Sequence, residues 1–311
     1  MKKDIIKNCS DRISKYIHKT PVLTSSAINN IAKAEVFFKC ENFQRAGSYK
    51  IRGATNAILQ LADEQKFKGV VTHSSGNFAQ ALSLAGKSVG AKAYIVMPDN
   101  APSVKREAVY GYNGEVIECE STIEAREQTA KKVEDNTGAT FIHPSNNTNV
   151  IIGQGTATFE LLSDYPELDI IITPIGGGGL IAGACLAVQE LNPNCKIIGA
   201  EPFEVDDAYR SLLSGKIETN TTTHTIADGL RTHLGDKNFP IIKEHVSEII
   251  RVTEDEIINA MRLVWERMKI IIEPSSAVAV AAVLKSSNKF EGKQIGVIIS
   301  GGNVDLSALP F

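Results

Sequence analysis

Four consecutive glycines, Gly176 to Gly179, follow the β-branched run Asp169–Pro174 and precede a helical run, Leu180–Leu191. Glycines at such a turn let backbone N–H groups approach an anion, and the positive end of the following helix favours a phosphate. No Lys-Ser/Thr follows, so this is not a Walker A loop. The dinucleotide fingerprint also fails, because the next strand ends at Ala200 and Glu201 is followed by a proline. A phosphate monoester fits better than a dinucleotide. Lys50, in Gly47-Ser48-Tyr49-Lys50-Ile51-Arg52-Gly53-Ala54, falls in the first turn of a helix read to about Leu61. An ammonium there opposes the helix dipole. An amine whose pKa is lowered by burial and a helix N-terminus can form a Schiff base with a carbonyl. Ser74-Ser75-Gly76-Asn77-Phe78 sits between a strand, Gly69–Thr72, and a helix from about Ala79, where hydroxyls and N–H groups suit a small anion such as a carboxylate. Ser300-Gly301-Gly302-Asn303 ends the last strand, and Ser300 can offer a hydroxyl to a ring nitrogen. An amine, a phosphate cradle and a hydroxyl from separate strand ends call for a small phosphorylated carbonyl cofactor. Pyridoxal 5′-phosphate meets that description.

The elements that must position these residues alternate. Strands are read at Gly69–Thr72, Ala93–Met97, Glu115–Glu118, Thr140–Ile142, Asp169–Pro174, Lys196–Ala200 and Gln294–Ile299, with helices between most of them. That alternation is the signature of parallel sheets wrapped by helices, an α/β class. The polar stretch His143–Asn149 is the best internal boundary, and Glu201–Asp236 is the longest stretch with weak regular signal. With 311 residues, 43% hydrophobic and 22% charged, the composition is globular and the length predicts about two domains. A net charge of −3 without a basic face argues against nucleic acid. The longest stretch free of polar side chains, Pro174–Val188, falls short of the ~18 residues of a membrane span. The charged N-terminus does not read as a signal peptide, and five scattered cysteines without a C-x-x-C pair read as reduced thiols, so the expected location is cytoplasmic.

Read together, these motifs resemble the serine racemase and serine/threonine dehydratase family of fold-type II pyridoxal-phosphate enzymes. The resemblance covers nearly the whole chain. It rests on Thr20-Pro21-Val22-Leu23, Lys39-Cys40-Glu41, the segment Gly47 to Ala54, Ser74-Ser75-Gly76-Asn77, Gly153-Gln154-Gly155-Thr156, Gly176 to Gly179 and Ser300-Gly301-Gly302-Asn303. It implies a tryptophan synthase β-like fold with two doubly wound open sheets. The large domain would comprise 1–68 and 147–311, with a small domain, 69–146, inserted in it.

For the site, the resemblance implies Lys50 as the cofactor-bearing lysine, Asn77 against the phenolic oxygen, Gly176, Gly177, Gly178 and Gly179 around the phosphate, and Ser300 at the pyridine nitrogen. Ser74, Ser75, Gly76 and Asn77 would meet the substrate carboxylate. Arg126 would join them on domain closure, with Tyr112 on the same closing surface. A hydroxyl at Ser300 leaves the ring nitrogen largely unprotonated and disfavours transamination. Racemisation needs a second acid/base on the opposite face of the carbanion, and Ser75 stands where racemases carry that group. Racemisation accompanied by dehydration of serine or threonine is therefore expected, the alternative being a dedicated threonine/serine ammonia-lyase or a threo-3-hydroxyaspartate dehydratase. Glu201, the Val205 carbonyl and Asp207 match the family's divalent-cation ligands, which suit Mg²⁺, Ca²⁺ or Mn²⁺. The resemblance further implies a homodimer and an ATP effector at its interface. Asn303 matches there, while Arg45 and Ala46 depart from the usual Lys-Thr. Phe78 and Ser145 replace a usual histidine and asparagine, which leaves the preferred side chain open. The six histidines form no i, i+4 pair and are assigned no catalysis.

Overall fold

The computed structural model describes residues 4–101 and 103–311. Ten strands occur among them: β1 (Val22–Leu23), β2 (Glu35–Cys40), β3 (Val70–Thr72), β4 (Ala93–Pro98), β5 (Glu115–Cys119), β6 (Thr140–Phe141), β7 (Ile170–Pro174), β8 (Lys196–Pro202), β9 (Val246–Val252) and β10 (Gln294–Ile299). One sheet has the order β1-β2-β10-β7-β8-β9 and the other β5-β4-β3-β6. Only the β1–β2 pair is antiparallel. The α/β class with two helix-wrapped sheets is the observed one. Alternate residues of β7 serve opposite faces: Ile170 and Ile172 join one apolar cluster, and Ile171 joins another with the helix Gly179–Leu191.

The seven expected strands are all present, their ends moved by at most two residues. Three strands escape a pattern reading. β2 carries Lys39 at its centre of burial, where its Nζ donates to the Thr20 carbonyl at 2.8 Å and to Glu160 at 2.6 Å. A lysine inside the run hides a buried strand. β9 is an edge strand whose alternation is broken where Val246 and Glu248 pair with consecutive residues of β8, leaving Ser247 as a bulge. β1 is two residues long. The weakly patterned stretch Glu201–Asp236 holds the helix Asp207–Ser214 and a short turn of helix, Asp228–Leu230. At the proposed boundary, Asn147 caps the helix Thr148–Asp164 by accepting from the N–H groups of Asn149 and Val150.

Three helices set the scaffold of the cleft. Thr148–Asp164 lies between Lys50–Leu59 and Gly179–Leu191 with backbones in near contact. A Cβ on Gly153 would lie 2.6 Å from the Gly53 Cα, and one on Gly183 would lie 2.4 Å from the Ile151 carbonyl oxygen. Glycines are required at both crossings. Gln154 Oε1 accepts from the Gly53 N–H at 3.1 Å, and Thr156 Oγ1 accepts from Arg52 at 3.2 Å. Arg52 is fully buried, held by Glu41 at 2.7 and 2.8 Å and by Glu160 at 2.7 and 2.9 Å. Two cations, Lys39 and Arg52, thus meet two carboxylates, and no charge in the group is left unpaired.

Candidate active site

In a parallel sheet, loops leaving the C-terminal ends of neighbouring strands open on one rim. The Lys50 segment follows β2, Ser300 follows β10 and the glycine run follows β7, and these three strands are neighbours. Hydrogen bonds stitch the first two loops together: Tyr49 N–H donates to Ser300 O at 3.0 Å, Gly302 N–H donates to Gly47 O at 2.9 Å, and Ser48 bridges Gly301. The other sheet contributes the turn after β3. Asn77 opens the helix Asn77–Val89, and its Nδ2 donates to both oxygens of Glu273 at 3.0 Å. Asn303 closes the circuit, its Nδ2 donating to Asn77 Oδ1 at 2.9 Å and to Ala46 O at 2.8 Å. Lys50, Asn77 and Ser300 are therefore brought together. The Lys50 amine lies 4.9 Å from the Tyr49 ring centroid.

The glycine run is tied to the same rim from the other side. Gly229 N–H donates to Ser275 Oγ at 3.1 Å, and a Cβ on Gly176 would sit 2.9 Å from the Gly229 oxygen. Gly177, Gly178 and Gly179 are buried, Gly178 is left-handed (φ 77°), and the helix Gly179–Leu191 starts without a side-chain cap. A buried, uncapped helix start leaves N–H groups in want of an acceptor, which a phosphate supplies.

A profile of the family described as "Pyridoxal-phosphate dependent enzyme" matches residues 13–301. The chain belongs to that family. Serine racemase of Dictyostelium discoideum is 56% identical over 98% of this chain and 95% of its own length. The beta-hydroxyaspartate dehydratase of Paracoccus denitrificans (strain Pd 1222) is 47% identical over 97% and 96%. The crystal structure of the Dictyostelium serine racemase superposes with a TM-score of 0.94 at 55% identity, covering 97% of this chain and 98% of that one.

For a pyridoxal-phosphate enzyme, the polar surroundings are richer than the motifs alone indicated. Glu273 is buried, and burial first, then the charge of Asp228, pushes its carboxyl up to about 7 against the donation from Asn77. Ser276 anchors Ser300: its Oγ lies 3.0 Å from Ser300 Oγ, donates to Gly301 O at 2.7 Å and accepts from Gly301 N–H at 2.7 Å. Both residues come from Glu273-Pro274-Ser275-Ser276, whose proline at a helix start was the available signal. His143 also matters to the rim. Its Nδ1 accepts from the N–H groups of Ser145 (3.2 Å) and Asn146 (2.9 Å), and burial pushes its pKa down to about 4. Ser145 in turn backs the glycine run, since a Cβ on Gly177 would lie 2.3 Å from its Oγ. Phe78 points away from such work, into the apolar cluster with Leu82 and Ile95.

The remaining expected residues stand as follows. Ser74, Ser75 and Gly76 are half-buried at the turn after β3. Arg126 follows the cap of helix Ile123–Thr137, and its buried Nε has no partner among the described residues. Burial, and to a lesser extent the Arg126 charge, lowers the pKa of His73, which precedes the serine pair. Tyr112 is half-buried after the helix Ser103–Gly111. Glu201, Val205 and Asp207 are fully buried. Glu201 accepts from Ala208 N–H (3.0 Å) and Tyr209 N–H (2.9 Å), and Asp207 accepts from Asn220 (2.6 Å) and Leu234 N–H (3.2 Å). Burial, then the charge of Asp207, holds the Glu201 carboxyl well above its ordinary range, and burial brings Asp207 to about 6. No group of three or more His, Cys, Asp or Glu side chains able to hold a metal occurs among the described residues. Two buried, mutually repelling carboxylates and a carbonyl are nevertheless hard oxygen donors that fit a divalent cation.

Proposed function

We propose that the chain is a serine racemase that also dehydrates serine and threonine to an α-keto acid and ammonia. The observation that supports this reading most is Ser75, at the turn after β3 two residues before Asn77, whose neighbours on the same rim are the Lys50 and Ser300 loops and the uncapped glycine run. The cofactor, when bound through Lys50, supplies an electron sink that acidifies the α-carbon of an amino acid. Lys50 Nζ removes or returns the α-proton on one face, and Ser75 Oγ does so on the other. Ser74, Gly76 and Asn77 receive the substrate carboxylate, and Arg126 adds its charge to the same group. Asn77, fixed by Glu273 and Asn303, aligns the ring edge, while Ser300, fixed by Ser276, offers the pyridine nitrogen a neutral hydroxyl.

The finer parts of the reading are a nested domain arrangement, a metal, an effector and an assembly. Domain limits of 1–68 with 147–311, around 69–146, are supported by one sheet drawing β3 to β6 from residues 70–141 and the other drawing strands from both sides. A divalent cation, Mg²⁺ before Ca²⁺ or Mn²⁺, is held by Glu201, Asp207 and the Val205 carbonyl. ATP is the effector and a homodimer the assembly. A cytoplasmic location is supported by five free cysteines, and no described helix is long and apolar enough to cross a membrane.

A panel of amino acids, scored for both α-keto acid and enantiomer formation, tests the function. The wild type is expected to interconvert serine enantiomers, and Ser75→Ala to lose that exchange while still releasing pyruvate. Equal racemisation by the variant overturns the role of Ser75. Dehydration without racemisation by the wild type turns the assignment to an ammonia-lyase, and faster turnover of 3-hydroxyaspartate than of serine turns it to a hydroxyaspartate dehydratase.

A further inference from the structure

Asn238 belongs to none of the motifs described above, yet its side chain is fully buried against the glycine run. It stands directly before the short helix Phe239–His245. Its Nδ2 donates to the Gly177 carbonyl at 2.7 Å and to the Ser145 carbonyl at 3.4 Å, and its Oδ1 accepts from Gly235 N–H at 3.1 Å. A Cβ on Gly178 would lie 2.7 Å from that Oδ1. The amide is thus wedged beside the peptide joining Gly177 to Gly178. That peptide is trans, so its C=O and N–H point in opposite directions. With the carbonyl tied to Asn238, the Gly178 N–H must face the other way. Glycine at Gly178, in the left-handed region, could otherwise let this peptide rotate at little penalty.

We propose that Asn238 is a positioning residue for the cofactor: it locks the Gly177–Gly178 peptide so that the Gly178 N–H joins the uncapped first turn of helix Gly179–Leu191 in holding the phosphate. This rests on the reading of Gly176 to Gly179 as the phosphate cradle. Asn146 buttresses the segment that leads into Asn238, donating to Asp236 at 2.6 Å and accepting from Lys237 N–H at 2.9 Å. Asn238→Asp preserves shape and the acceptor for Gly235 but turns the donor toward Gly177 into a second acceptor.

The test titrates the full-length apoprotein with pyridoxal 5′-phosphate and, separately, with pyridoxal, following the visible absorbance of the lysine-bound cofactor, with thermal unfolding of the apoprotein alongside. For Asn238→Asp, affinity for the phosphorylated cofactor is expected to fall about tenfold, the effect of one lost buried hydrogen bond. Affinity for pyridoxal should change less than about twofold. Equal weakening for both compounds means Asn238 only supports the fold, and no change for either means it does not orient the loop; each overturns the proposal. Asn238→Ala is read by the same ratio and decides the matter if the aspartate variant does not fold. The wild type separates this inference from the reading beneath it. If it binds pyridoxal as tightly as pyridoxal 5′-phosphate, the cradle itself is misplaced; if it discriminates and Asn238→Asp discriminates equally, only the role of Asn238 falls.

Discussion

Glu273, buried, and His143, half-buried, are two groups on the same rim whose protonation pulls stability in opposite directions. Glu273 is raised from 4.5 to about 7, so the folded chain holds its proton more tightly than the unfolded one, and stability is lost as pH rises through that window. His143 is lowered from 6.5 to about 4, so stability is gained as pH rises from about 4 to 6.5 and lost as pH falls through it. The wild type is expected to show a shallow net dependence there. Glu273→Gln should expose the histidine slope: between about pH 5 and about pH 8 its urea midpoint gains on the wild type, by at most about 3 kcal/mol in unfolding free energy. A gap between the two apoproteins that stays constant with pH would show that Glu273 titrates as an ordinary carboxyl. Neither group was legible in the chain. A lone glutamate before a proline and a lone histidine carry no spacing signal, because what perturbs them is burial by residues far away in sequence.

At the scale of elements, the helix Thr148–Asp164 acts as the spacer between the helix that begins with Lys50 and the one that follows the glycine run. Its closeness to both depends on glycine at the crossings, where an added methyl meets backbone rather than a movable side chain. Gly183→Ala is expected to destabilise by about 1–3 kcal/mol and to lower the retained cofactor by forcing the cradle helix outward. Gly111→Ala is the comparison, because a Cβ there meets nothing within 4 Å. Thermal unfolding of the two apoproteins decides: equal melting temperatures would mean that the crossing has slack. The motif Gly153-Gln154-Gly155-Thr156 was visible in the sequence as a resemblance without a mechanism. Its reason is tertiary, since helix partners at Gly53 and Gly183 are set by how three helices stack.

Across the whole molecule, the metal reading makes a claim about stability as well as activity. Glu201 belongs to the inner strand β8 and Asp207 begins the next helix, so an ion between them would tie the end of that strand to the loop that continues toward the Gly229 and Asn238 contacts. Mg²⁺ or Ca²⁺ should raise the melting temperature of the wild type saturably, by about 2.7 kcal/mol in stability at a hundredfold excess over Kd. Asp207→Ala should show no such rise, and chelation should leave its stability unchanged. A variant that responds to the ion as the wild type does would place the cation elsewhere.

The alternation of strands and helices, the glycine run, the lysine at a helix start and the serine-asparagine turn were all determined by local sequence. Each is a property of a few adjacent residues: a period, a missing Cβ, or an amine near a helix dipole. What only the tertiary structure decided is which of these meet. β2 was hidden because Lys39 is neutralised by Glu160, 121 residues away. Glu273, Ser276 and Asn238 gain their roles from partners at Asn77, Ser300 and Gly177, contacts that span 196, 24 and 61 residues. Hydrogen bonds and burial act over a few ångströms in space, whatever the distance along the chain, so the supporting residues of the site become visible once the sheets have brought the strand ends to one rim.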